Sequence, residues 1–138
     1  MNKKLFTNVV TFQGQSNEVL NILTNPTRLL NWVPDIMTVD EVDNTFKITR
    51  TDNAFNQTEM ITVITTNQSV TYQSTGGRLA YDLVFDITQT DQIVQVSESL
   101  FVNPASDNHL PLTLLTPIVK HAFNQNLDGL ARIVSITN

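Results

Sequence analysis

The chain has 138 residues, of which 41% are hydrophobic and only 15% charged, with a formal net charge of −5 at pH 7 and no cysteine. The length predicts one domain over residues 1–138, with a polar surface built largely from Asn, Gln and Thr. The acidic balance argues against nucleic acid as a partner, since phosphate binding is driven by Lys and Arg, and the missing cysteines exclude disulfides, thiolate metal sites and a cysteine nucleophile.

The first residues, MNKKLFTNVVTFQG, turn polar too soon for a signal peptide, and no stretch approaches the roughly 18 apolar residues of a membrane span. The expectation is a soluble, cytoplasmic protein without integral membrane association. Leu5 to Gln13 is short and rich in β-branched and aromatic residues, which predicts a strand. Gly14 breaks it. Ser16 is placed to cap a helix whose stripe is Val19, Leu20, Ile22 and Leu23. A second short helix is predicted from Pro26, with Asn25 as cap and Pro26 at the first helical position. It must stop before Pro34, because the residue preceding a proline is pushed out of the α region.

Between Ile36 and Val102 the pattern alternates. IMTVDEV, TFKITRT, TEMITVITT, SVTYQST, RLAYDLVFDITQ and QIVQVSESLFV follow at regular intervals, divided by turn-like pieces such as VDNT, TNQS and QTDQ. That spacing predicts an antiparallel meander. In the fifth segment Leu79, Tyr81, Leu83, Phe85 and Ile87 share one face. The paired glycines of STGGRL fit a turn between strands better than a phosphate loop.

From Leu112 the period becomes helical. Leu112, Leu115, Val119, Phe123, Leu127, Leu130 and Val134 fall on one stripe at about 100° per residue. Pro117 either begins this helix, with Thr116 as cap, or kinks one that started near Leu112. A sheet with one apolar face needs a cover, and this helix is the only element large enough to supply it. The predicted class is α+β: a seven-stranded curved antiparallel sheet wrapped around a long C-terminal helix, with two short helices after the first strand.

This order of elements, with VTFQGQSNEVLNILTNPTRLLNWVPDI, resembles the START/Bet v 1-like (SRPBCC) superfamily, in its polyketide cyclase/dehydrase-like branch. The matching positions are Val19, Leu20, Leu23, Thr24, Asn25, Pro26, Leu29, Trp32, Pro34 and Ile36, and LLTPIVKHAFNQNLDGLARIV resembles the family's last helix. The resemblance implies a helix-grip fold with a hydrophobic cavity between sheet and helix, occupied by a lipid, polyketide, steroid or other apolar molecule. Fold does not carry function, and the family contains carriers and enzymes alike.

The residues themselves offer no GxSxG, HExxH or P-loop, and no metal, cofactor or catalytic residue is assigned. His109 lies in a polar loop and His121 falls off the apolar stripe. The more useful signal is polar residues on apolar strand faces. Glu98 interrupts the row Val94, Val96, Leu100, Val102, and Arg50 ends the row Phe46, Ile48. An unpaired buried charge costs several kcal/mol. Either a bulge turns Glu98 outward, or it faces the cavity neutral, wet or paired, with Arg50 as the obvious partner. Asn126 lies within the stripe of the last helix, and Tyr72 and Tyr81 carry hydroxyls suited to orienting a ligand. The candidate ligand contacts are Trp32, Phe46, Ile48, Arg50, Tyr72, Tyr81, Phe85, Glu98, Val119, Phe123 and Asn126. Trp32 is expected chiefly as a plug between the short helices and the long one.

Three functions compete: binding of a small apolar molecule, which demands least of these residues; a cyclase or dehydratase using Glu98 as acid/base and Arg50 as anion stabiliser; and a co-chaperone-like interaction domain. The last needs an exposed apolar patch, and the sequence displays none.

Overall fold

A computed structural model describes residues 2–51, 54, 56–103 and 111–137. Seven strands form one antiparallel sheet in the order β1-β7-β6-β5-β4-β3-β2. They are β1 (Lys3–Gln13), β2 (Ile36–Val42), β3 (Thr45–Arg50), β4 (Thr58–Thr66), β5 (Ser69–Thr75), β6 (Tyr81–Thr90) and β7 (Ile93–Val102). Helix α1 (Ser16–Leu23), then a 3-10 turn (Pro26–Arg28) running into α2 (Leu29–Trp32), follows β1, and α3 (Leu112–Thr137) closes the chain. This is the predicted helix-grip arrangement.

The hairpins between β2 and β3, β4 and β5, and β6 and β7 turn at Asp43, Asn67 and Asp91, each with a positive φ. Asn and Asp tolerate that left-handed region better than other side chains, which is why VDNT, TNQS and QTDQ read correctly as turns. Both edge strands carry a register shift, between Lys4 and Phe6 in β1 and between Ile36 and Thr38 in β2. An extra residue of this kind bends a strand and re-aims its neighbours. In β1 it lets the consecutive residues Leu5 and Phe6 both serve the interior.

Several helix ends differ from their predicted form. Ser16 is the first helical residue, preceded by Gln15, and no side chain of its own turn caps it. The Ser16 N–H instead donates to Gln89 Oε1 at 2.8 Å, so the β6–β7 hairpin satisfies the start of α1. Asn25 likewise makes no side-chain cap; its carbonyl accepts the Arg28 N–H at 2.9 Å. Pro34 acts as predicted, with α2 ending at Trp32 and Val33 already extended. Strand β6 begins at Tyr81, later than its apolar pattern suggests, because Leu79 belongs to the preceding turn. Both backbone groups of Leu79 are held by Asn56, at 2.7 Å each. Gly77 permits this, since a Cβ there would lie 2.5 Å from Asn56 Cγ.

Helix α3 begins at Leu112 and contains Pro117, so Pro117 is not its first residue. The proline ring removes one backbone donor and crowds the turn before it. Thr116 is not a cap either; its hydroxyl donates to the Leu112 carbonyl at 2.6 Å.

The stripe on α3 is as predicted but unevenly buried. Leu127, Leu130 and Val134 are fully buried against the sheet, each contributing about 1.5–3 kcal/mol. Leu112, Leu115, Val119 and Phe123 are only partly buried. Leu114 and Ile118 are exposed at 76% and 68%. They form an apolar surface on the first half of the helix that the sequence reading did not detect. Midway, Phe123 packs edge-on to Phe6 at 5.6 Å. Trp32 meets the second half of the helix at Gly129, where a Cβ would lie 3.5 Å from the Trp32 carbonyl oxygen. Its ring stacks edge-on to Phe85 at 6.2 Å.

Candidate functional site

Two adjoining voids lie between the sheet and α3, one of about 280 Å³ beneath the first half of the helix and one of about 230 Å³ beneath its middle. The larger is mostly apolar. Leu5, Leu79 and Leu100 line it from the sheet side, and Leu112, Leu115 and Val119 from the helix. The smaller lies towards α2 and is more polar, with Trp32, Tyr72, Glu98, Gln125 and Asn126 in its wall. Asp35, Arg50, Tyr81, Ala122 and Phe123 border both.

Arg50, at the end of β3, is engaged through all three of its nitrogens. Its Nε donates to Glu59 Oε1 at 2.7 Å, Nη1 to Asp35 Oδ1 at 3.0 Å, and Nη2 to the Tyr81 hydroxyl at 3.5 Å. Glu59 is 1% exposed. Its second oxygen accepts from Ser74 Oγ and from Asn56 Nδ2. A buried ion pair is tolerated when its remaining hydrogen-bonding capacity is filled in this way. Burial alone would weaken the Arg50 cation, but Tyr81, Glu59 and Asp35 outweigh it and hold the proton more firmly than usual. Burial, reinforced by the Glu59 charge, pushes the Tyr81 phenol well above its ordinary range. Within this cluster the guanidinium stays charged and the Tyr81 phenol stays neutral.

Glu98 is the opposite case. It faces inward from β7, 1% exposed, with no bulge to turn it out. The expected pairing with Arg50 is absent. Strands β4, β5 and β6 separate β3 from β7, and the guanidinium is taken by Glu59 on the adjacent strand. Glu98 Oε1 accepts one long hydrogen bond, 3.5 Å from Asn8 Nδ2. Asn8 in turn ties β1 to α3: its Nδ2 donates to the Lys120 carbonyl at 3.0 Å, and its Oδ1 accepts from Lys120 Nζ at 2.9 Å. Burial pushes the Glu98 carboxyl up to about 8, and the bond from Asn8 offsets this only in part. At neutral pH Glu98 is therefore mostly an uncharged acid, able to donate or accept.

Of the sequence candidates, Trp32, Arg50, Tyr72, Tyr81, Glu98, Val119, Phe123 and Asn126 border one or both voids. Phe46, Ile48 and Phe85 border neither: Ile48 and Phe85 are fully buried in the core, and Phe46 packs against it. Tyr72 contributes its ring alone, because its hydroxyl already donates to the Leu23 carbonyl at 2.6 Å and is not available to orient a ligand. Trp32 serves both as plug and as wall. Its Nε1 is the one buried side-chain polar atom without a hydrogen-bond partner among the described residues. His121 is exposed, and His109 lies outside the described residues.

Sequence reasoning missed Glu59, Asn56, Asp35 and Asn8. Glu59 shares a strand face with Ile61, and Asn8 sits between Phe6 and Val10, so the polar-on-apolar-face signal that found Glu98 marks both. Asp35 and Asn56 lie in connections, where no periodicity marks them. No group of three His, Cys, Asp or Glu among the described residues is arranged to hold a metal. No described helix is long and apolar enough to cross a membrane.

No protein-family model matches the sequence, and no curated protein does. Solved structures do resemble it. A START superfamily protein from Mycobacterium smegmatis is 10% identical, with a TM-score of 0.80 over 96% of this chain and 98% of that one. Truncated norcoclaurine synthase from Thalictrum flavum is 12% identical, with a TM-score of 0.68 over 97% and 94%. The di-domain ARO/CYC StfQ of the steffimycin biosynthetic pathway is 11% identical, with a TM-score of 0.71; the match covers 99% of this chain and 52% of that one. At these identities the likeness establishes the fold alone: this chain has the helix-grip architecture that these structures share.

Proposed function

We propose that this chain binds a small, largely apolar molecule in the paired voids between the sheet and α3. The observation that carries the reading is the uneven burial of one helix stripe. Leu127, Leu130 and Val134 fill the core, while Leu112, Leu115, Val119 and Phe123, equally apolar, face space. Apolar side chains left facing a void forgo about 25 cal/mol for each Å² not removed from water. A ligand recovers that term. Apolar walls with a few fixed polar groups are how small-molecule pockets are commonly built, and neighbours of this fold include a START superfamily protein and an ARO/CYC protein. Native mass spectrometry of protein purified under mild conditions, followed by solvent extraction, tests the reading. A retained or readily added apolar ligand is expected. Failure of every apolar compound offered to bind contradicts it.

A cyclase or dehydratase is the second reading, favoured by Glu98 alone. A buried carboxyl with a proton affinity near neutrality suits general acid/base work. Arg50 is a poor anion stabiliser in this scheme, since two carboxylates already neutralise it. If Glu98→Gln abolishes turnover of a substrate while leaving its binding intact, the enzyme reading replaces the carrier one.

A further inference from the structure

We propose that the smaller void is a head-group subsite for an uncharged hydroxyl, which hydrogen-bonds the Glu98 carboxyl and accepts from Trp32 Nε1, while the ligand's apolar body fills the larger void. This rests on the binding reading above and names the ligand class for it.

The two voids differ in chemistry. Both share Asp35, Arg50 and Tyr81, but the larger is otherwise walled mainly by aliphatic side chains, whereas the smaller adds an indole, a carboxyl and two amides to its apolar wall. An amphiphile with one polar end fits that division. The polar end is specified by what is left unsatisfied. Trp32 is 5% exposed and its Nε1 has no acceptor. A buried donor without a partner costs about 1–3 kcal/mol, which a ligand oxygen would relieve. Glu98 is 1% exposed and receives, among the described residues, a single hydrogen bond at 3.5 Å, leaving acceptor capacity unused. Protonated Glu98 can accept a hydrogen bond or donate its own O–H. A hydroxyl meets it in either direction while accepting from Trp32 Nε1, whereas an ammonium offers Trp32 no acceptor.

Charge points the same way. Asp35, Glu59 and Glu98 border the voids, against Arg50 as the single cation among the described lining residues. Arg50 is already bound to Asp35 and Glu59. An anionic head, such as that of a fatty acid, finds no free positive charge here. A cationic head must ionise Glu98 inside an apolar wall, against the burial that keeps it protonated.

Displacement of Nile red from the full chain by decanol, decanoate and decylamine at pH 7, each below its aggregation concentration, tests the inference. Decanol is expected to bind roughly tenfold more tightly than either ionic analogue. Glu98→Met and Trp32→Phe should each lower the preference for decanol over the two ionic analogues roughly fivefold, each competition being referred to that variant's own Nile red affinity. If Glu98→Met does not fold, Trp32→Phe carries the test alone. Equal affinity for the three heads, or a preference for decanoate or decylamine, overturns the head-group assignment and leaves the binding reading standing. Binding of neither Nile red nor any of the three overturns both.

Discussion

Glu59 and Glu98 are buried to the same degree, each 1% exposed and each facing the interior of one sheet. Their surroundings are opposite. Glu59 is held by Arg50, Ser74 and Asn56, so both its oxygens are occupied. Glu98 has one long bond from Asn8 and a void beside it. The difference teaches that burial alone does not mark a functional carboxyl. A saturated carboxylate braces the sheet where β3, β4 and β5 meet the entry to β6. An undersaturated carboxyl is one the fold leaves available to something else.

The sharpest way to break this contrast is Arg50→Met, which strands the Glu59 charge in the core. Removing one partner of a buried pair costs about 3–5 kcal/mol, and a fall in Tm of roughly 10–20 °C is expected by calorimetry. The double variant Arg50→Met/Glu59→Met should recover most of that loss. An Arg50→Met protein as stable as the parent removes the bracing role.

Glu98 predicts a pH effect of definite sign. Its folded pKa, about 8, lies above the unfolded value of 4.5. The folded state therefore keeps a proton that the unfolded state releases. Its stabilising contribution is fully present below pH 4.5 and is lost as pH rises towards 8. Across that window stability should fall by up to about 1.4 kcal/mol per pH unit. Glu98→Gln should flatten the slope in urea titrations repeated at several pH values. A Glu98→Gln slope identical to the parent's contradicts the buried, protonated carboxyl.

The smallest expected effect sharpens the Glu59 side. Ser74→Ala deletes one hydrogen bond to that carboxylate and should cost about 1–2 kcal/mol, readable as a shift in the urea midpoint with unchanged slope. A larger loss than for Arg50→Met would mean that the hydroxyl, and not the guanidinium, is what holds Glu59.

The architecture was legible because period and turn chemistry are local. Alternation located the strands, Asp43, Asn67 and Asp91 located their turns, and Pro26 and Pro34 bracketed the second short helix, which ends at Trp32. The inward face of Glu98 was legible for the same reason. Its partner was not. Which cation reaches which carboxylate depends on strand order and register, and β3 lies beside β4, far from β7 in the sheet. The cap of α1 was hidden likewise, since Gln89 supplies it from a distant hairpin. Asp35 and Asn56 carry weight in connecting segments, where nothing in the neighbouring residues betrays it. The uneven burial along α3 was also beyond a helical stripe, which reports a face but not how closely it is approached.

Ala122 borders both voids, so filling its position tests the cavity itself. Nile red titrated into the parent chain and into Ala122→Trp, with Tm followed for each, gives the most direct answer. Binding at the parent chain that weakens at least roughly tenfold in Ala122→Trp, with Tm retained, is the predicted result. Equal binding to both proteins would contradict a ligand site between sheet and helix.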